Sequence, residues 1–263
     1  MKLIFIRHGE PDYINDCLTE NGRKEAKALA MRIKDWNVTQ FFVSPQGRAQ
    51  ETASYSLKEC NREAVCLDFL HEFSYKVEDP VTGRIGVPWD FVASDWTKND
   101  YMFELEDGFL KYPCIASNEE IKIKYDEAVT GFDNLLKDYG YIREGRFYRN
   151  INAEKRYLKS TVGPDNKIRN NGKHSDGSPE TTLVFFCHLG ISCLIMSHLM
   201  NIPFETLTHG LYMAPTSITV LTAEERWDNE AYFRAQAIGD TVHLHKAGLP
   251  VSFAGSFADP FLG

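Results

Sequence analysis

Hydrophobic positions fall into short apolar runs separated by longer stretches of helical periodicity. The first run, Leu3-Ile4-Phe5-Ile6, is stopped by Gly9 and Pro11 and reads as a buried strand. After a polar loop over 11–18, Thr19 is placed to cap a helix running to about Trp36, with Ala26, Leu29, Ile33 and Trp36 on one face. Residues 38–43 form a second apolar, β-branched and aromatic run, ended by Ser44-Pro45. A helix is predicted from Gly47 to about Cys60, with Arg48 in its first turn. Residues 65–70, with Val65, Leu67 and Phe69 alternating, predict a third strand, and Glu72 lies just past its end. Strand and helix alternating in this way predict a parallel sheet with helices on its faces.

The middle of the chain is less regular. Residues 74–117 mix prolines and glycines with scattered aromatic residues (Trp89, Phe91, Trp96, Tyr101, Phe103) and read either as a cap over a site or as a plain packed excursion. Ser117-x-x-Glu120 has the form of a capping box. The helix it predicts carries Tyr125, Ala128, Val129, Phe132, Leu135, Leu136 and Tyr139 as one apolar stripe. Residues 140–180 form an atypical insertion with a basic lean, a hairpin turning at Glu144-Gly145, and turns at 163–166 and 170–172. Residues 181–187 are the most apolar strand candidate, and a helix follows His188-Leu189-Gly190. Residues 217–221 and 232–238 read as further strands, and the chain beyond about Ser252 as a loosely held tail. The expected architecture is one α/β domain over 1–263, with a mostly parallel central sheet, helices on both faces, and insertions near the site.

Composition narrows the classes of partner. Hydrophobic residues make up 43% of the chain and charged residues 25%, the proportions of an ordinary globular domain. A net charge of −8 opposes non-specific binding to nucleic acid or to anionic membrane, so an anionic substrate requires a local cationic pocket. No apolar run is long enough to span a bilayer, and the very short first run is followed at once by charge, unlike a secretory leader. The expected compartment is the cytoplasm. The six cysteines lack C-x-x-C spacing and read as free thiols.

The candidate chemistry lies at strand ends. Arg7-His8-Gly9 and His188-Leu189-Gly190 each follow a buried-strand pattern directly, Arg48 opens the helix after the second strand, and Glu72 follows the third. In open α/β sheets, ligands bind beyond the carboxyl ends of the strands. Two arginines can hold a phosphoryl group through paired, charge-assisted bonds. A neutral imidazole is a competent nucleophile near pH 7 if an acceptor holds its other nitrogen. A second histidine can donate to a phosphoryl oxygen, a protonated carboxyl can deliver a proton to the departing alkoxide, and backbone N–H groups after His188 add anion stabilisation. Cys187 ends a buried strand and reads as packing. His71 reads as structural or exposed, and His198 as a boundary residue at the polar edge of a helix stripe; His209, His243 and His245 have no partner motif, and His174 sits in a polar loop.

Arg7-His8-Gly9, Leu18-Thr19-x-x-Gly22, Ser44-Pro45-x-x-Arg48-Ala49-x-x-Thr52-Ala53, Leu70-His71-Glu72 and Cys187-His188-Leu189-Gly190 occur in that order. Together they resemble the histidine phosphatase (phosphoglycerate mutase-like) superfamily, and Ser217–Leu221 resembles its late strand. The resemblance implies a phosphorylated nucleophile at His8, a proton donor at Glu72, with Glu78 as the alternative, and a phosphate pocket of Arg7, Arg48, His188 and the Leu189 backbone. It implies no cofactor and no metal, and a small phosphorylated substrate as the partner. Leu189 stands where the family usually has a small residue, and Glu10-Pro11-Asp12-Tyr13 replaces the mutase continuation of the first motif. The expected activity is therefore a phosphoric monoester hydrolase. The alternatives are a phosphoglycerate mutase-type transferase and a non-catalytic phospholigand-binding protein on the same fold.

Overall fold

The computed structural model describes residues 1–152, 180–225, 229–256 and 258–259, the side chain of Trp89 apart. From the N-terminus run β1 (Lys2–Arg7), α1 (Glu20–Ile33), β2 (Gln40–Val43), α2 (Gly47–Cys60) and β3 (Ala64–Cys66). Then come α3 (Glu119–Asp138), the hairpin β4 (Tyr141–Glu144) and β5 (Phe147–Asn150), β6 (Thr182–Cys187) and α4 (Leu189–Met200). The chain continues through α5 (Phe204–Gly210), β7 (Ile218–Glu225), β8 (Glu230–Asp240) and α6 (Val242–Lys246). The eight strands form one sheet in the order β3-β2-β6-β1-β7-β8-β5-β4. Strands β3, β2, β6 and β1 run parallel, and the remaining pairings are antiparallel. The expected α/β architecture with helices on both faces is present; three of the seven pairings are parallel, all in the half of the sheet that ends at β1, and four are antiparallel. Among the described residues, no helix is long and apolar enough to cross a membrane.

The period of two in β1 divides its side chains between two cores. Ile4 and Ile6 pack with Leu29 and Ile33 of α1 and with Ala49 and Ala53 of α2. Leu3 and Phe5 pack on the other face with Phe132 of α3 and Leu194 of α4. There the Phe185 ring stacks on both Phe5 and Phe42, with centroids 5.1 Å apart in each pair, so three neighbouring strands share one aromatic row. Each such buried ring contributes roughly 1.5–3 kcal/mol. Helices on both faces and an aromatic row through the centre make the sheet a rigid base for the groups at its edge.

Register carries the site. Arg7 pairs with Cys187 and Val43 with Phe186, so His8, His188 and Ser44 emerge side by side from three adjacent strands. The His8 N–H donates to the Cys187 carbonyl at 2.9 Å, and the Ser44 N–H to the Phe186 carbonyl at 2.9 Å, which extends the ladder to those residues.

Several elements differ from their sequence expectation. The third strand stops at Cys66 instead of Leu70, because its partner β2 ends at Val43, before Ser44-Pro45. The chain then turns through a short 3-10 segment, Asp68–Leu70, before reaching Glu72. Helix α3 is capped by Asn118, whose side chain accepts from the Glu120 N–H, whereas the Ser117 hydroxyl donates to the Cys114 carbonyl. The 141–150 hairpin forms, but it turns at Gly145-Arg146 and adds two strands to the sheet. The turns expected at 163–166 and 170–172, and the basic residues from Lys155 to Lys173, lie outside the described residues. The tail is pinned at its start: the Ser252 hydroxyl donates to Glu10 Oε2 at 2.7 Å, and the Tyr212 hydroxyl donates to the Ser252 carbonyl at 2.6 Å. All six cysteines are free, with Cys187 and Cys193 buried.

Candidate active site

His8 and His188 lie at adjacent strand ends with ring centroids 5.1 Å apart and planes tilted by 57°. Each is almost fully buried, at 1% and 0% exposure. The His8 Nδ1 is 2.7 Å from the Gly9 carbonyl, which can only accept, so the ring proton sits on Nδ1 and Nε2 keeps its lone pair. The His188 Nε2 is 2.7 Å from Ser44 Oγ. That oxygen also accepts the Gln46 N–H at 3.3 Å, and we assign the Ser44 proton to the bond with Nε2, the tautomer in which the His188 ring proton is on Nδ1. Burial, and after it the Arg7 cation, holds His8 well below the usual imidazole value, and the bond to Gly9 offsets only part of this. Burial, then His8 and Arg48, does the same to His188.

Both arginines are anchored on one edge. Arg7 donates from Nη1 to the Met213 carbonyl at 2.8 Å and from Nη2 to the Ala254 carbonyl at 2.9 Å. Arg48, in the first turn of α2, donates from Nη1 to Asp16 Oδ1 at 2.5 Å, and its guanidinium lies 5.4 Å from the Tyr13 ring centre. Among the described residues, Arg7 Nε, Arg48 Nε and His188 Nδ1 are buried without a hydrogen-bond partner. Buried donors left unpaired are costly, so three of them beside one free imidazole nitrogen are suited to an oxyanion.

Arg7, Arg48, Glu72 and Leu189 line one cavity of about 730 Å³. Glu72 Oε1 accepts the Phe73 N–H at 2.8 Å and the Ile191 N–H at 3.0 Å, so one oxygen is fixed at the start of α4. Gly190 allows this approach, because a Cβ there would stand 2.8 Å from Glu72 Oε1 and 2.8 Å from the Phe73 carbonyl oxygen. Glu78 is exposed on a short ribbon with 85–86 and is not among the cavity-lining residues. The 74–117 segment supplies Ser74, Val87, Asp90 and Phe91 to the wall.

The geometry gives roles to residues that had none in the sequence reading. Ser44 holds His188, Tyr13 and Asp16 flank Arg48, and Ala254 ties the tail to Arg7. His209, which had no partner motif, lines the cavity and stacks on Trp96 at 4.3 Å. His198 is buried, with Nε2 2.9 Å from Asp133, and His71 is exposed.

A sequence model of the histidine phosphatase superfamily (branch 1) matches residues 3–82, the segment that holds Arg7, His8, Arg48 and Glu72. Over that segment, under half of its length, the chain is similar to the histidine phosphatase superfamily. The fold of this chain is similar to that of phosphoserine phosphatase from Entamoeba histolytica, in a mutant structure in complex with phosphoserine. Identity there is 18%, coverage 92% of this chain and 98% of that chain, and the TM-score 0.54. The same enzyme has been solved with 3-phosphoglyceric acid, at 17% identity, 92% and 98% coverage and a TM-score of 0.54. Mycobacterial glucosyl-3-phosphoglycerate phosphatase aligns at 15% identity over 90% of this chain and 98% of its own, with a TM-score of 0.55. A search of curated proteins gave no match.

Proposed function

We propose that this protein is a phosphatase that hydrolyses small phosphomonoesters through a phosphohistidine at His8, without a metal. The observation that carries the reading is the free Nε2 of His8 beside three buried, unpartnered donors, Arg7 Nε, Arg48 Nε and His188 Nδ1. His8 Nε2 attacks phosphorus as the bond to the ester oxygen breaks, and Glu72 delivers a proton to that oxygen. The displaced alcohol leaves. Water then attacks the phosphohistidine, Glu72 takes its proton, and inorganic phosphate departs. Charge that spreads over the phosphoryl oxygens during both steps meets the two guanidiniums, His188 and the backbone N–H of Leu189. Depressed imidazole basicity suits this role, because both rings are neutral at pH 7.

Fold similarity to enzymes named as phosphoserine and glucosyl-3-phosphoglycerate phosphatases supports phosphorylated metabolites as the class to try first. Screening a panel of phosphorylated metabolites for phosphate release tests the proposal. Turnover that liberates inorganic phosphate and vanishes in His8→Ala is expected. Isomerised substrate without free phosphate would make the protein a mutase, and binding without turnover would make it a phospholigand-binding protein.

A further inference from the structure

Helix α2 has no side-chain cap of its own, since the N-cap residue Gln46 makes no capping hydrogen bond. The cap comes from another part of the chain. Asp12 organises the preceding loop, its Oδ1 accepting the N–H groups of Ile14 and Asn15 at 3.0 and 3.2 Å. That loop delivers Asp16 in the left-handed region, with φ +47°. Asp16 Oδ2 accepts the Gly47 N–H at 2.6 Å, and Oδ1 accepts Arg48 Nη1 at 2.5 Å. One carboxylate therefore meets the positive end of α2 and the guanidinium of its first turn together. Gly47 is what admits it, because a Cβ there would stand 2.3 Å from the Asp16 carbonyl oxygen.

The consequence concerns Arg48. Its side chain is 8% exposed, that of Asp16 43%, so the carboxylate approaches from the solvent side. With Nη1 held there and the Tyr13 ring beside the guanidinium, Nε is left buried and unpartnered.

We infer that Asp16 is the positioning residue for Arg48, presetting the guanidinium so that its Nε edge meets an anion bound beside His8, with Gly47 required for Asp16 to dock. The inference rests on the reading of this cavity as a phosphate site. Asp16 touches no substrate in this account and acts only through Arg48.

Calorimetry of inorganic phosphate binding, with kcat and KM for p-nitrophenyl phosphate, tests it on the full chain and on D16N, D16A, G47A, R48A and D16A/R48A. A misdirected guanidinium should weaken phosphate binding by about tenfold in D16A and raise KM more than it lowers kcat. G47A, which blocks docking by another route, should behave like D16A. D16N retains an acceptor for the Gly47 N–H and tolerates the left-handed backbone, so it should fall between D16A and the parent. Because both changes act on one contact, D16A/R48A should bind phosphate no more weakly than R48A. A general loss of fold would instead lower kcat and phosphate binding in D16N and D16A alike. Phosphate binding in D16A equal to or tighter than in the parent, or losses that add in the double variant, would overturn the inference. A parent that binds phosphate but hydrolyses nothing would remove the proposed activity and leave Asp16 to be decided by the binding series. A parent that does not bind phosphate would overturn both.

Discussion

His8 and His188 face each other at 5.1 Å because Arg7 and Cys187 are register partners on adjacent parallel strands. Their rings are oriented by different groups, a backbone carbonyl for His8 and the Ser44 hydroxyl for His188. The backbone carbonyl is beyond the reach of a side-chain substitution, whereas the hydroxyl can be removed. Ser44→Ala should lower kcat about tenfold by releasing the His188 ring and its proton position, with a stability loss of about 1–3 kcal/mol for an unpaired buried nitrogen. Steady-state kinetics and denaturant unfolding check this, and an unchanged kcat would mean that His188 needs no such anchor.

The proton-donor assignment makes a leaving-group prediction. Glu72→Gln should slow esters of poor alcohol leaving groups by about 10²–10⁴-fold, and p-nitrophenyl phosphate much less, because p-nitrophenolate departs without a proton. Gly190→Ala should reproduce the pattern, since its Cβ would displace Glu72 Oε1 from 2.8 Å. Equal losses for both leaving-group classes would move the proton donor elsewhere.

Buried neutral histidines set the acid side of stability. His8, His188 and His243 are all held below 6.5, with burial the main cause, and His243 is brought down to about 4. As pH falls below 6.5, the unfolded chain takes up protons that these folded rings refuse, so each lowers stability by up to ~1.4 kcal/mol per pH unit. Glu25 works in the other direction. Burial raises its carboxyl from 4.5 to about 7, so its contribution is lost as pH rises through that window. Three histidines outweigh one carboxyl, and Tm should fall between pH 7 and pH 5. Glu25→Gln should steepen the fall. A Tm that holds or rises over that range would contradict the neutral-histidine account.

Much of this was legible in the sequence because it is local. Ile4 and Ile6 alternate with Leu3 and Phe5, and α1 and α2 carry their periodic faces, so β1, α1, β2 and α2 could be read directly. Arg7, His8, Arg48 and His188 sit immediately where such patterns stop, which is why they could be named. Contacts made by folding the chain back were not legible. Asp16 reaches Arg48 across 32 residues, and Ala254 reaches Arg7 across 247, through single hydrogen bonds that leave no period behind. The capping residue of α3 was misread for a related reason. Ser117 and Asn118 both suit a cap, and the turn over Pro113–Ala116 had already engaged the Ser117 hydroxyl.

The most direct test of the central claim is to trap phosphate on the protein. The parent and His8→Ala would be mixed with a ³²P-labelled phosphomonoester, quenched in alkali within one turnover, and assayed for protein-bound label that is stable to base and lost in acid. Such label is expected on the parent, located on the peptide carrying His8, and none on His8→Ala. Turnover by the parent with no acid-labile protein phosphate, or undiminished turnover by His8→Ala, would contradict it.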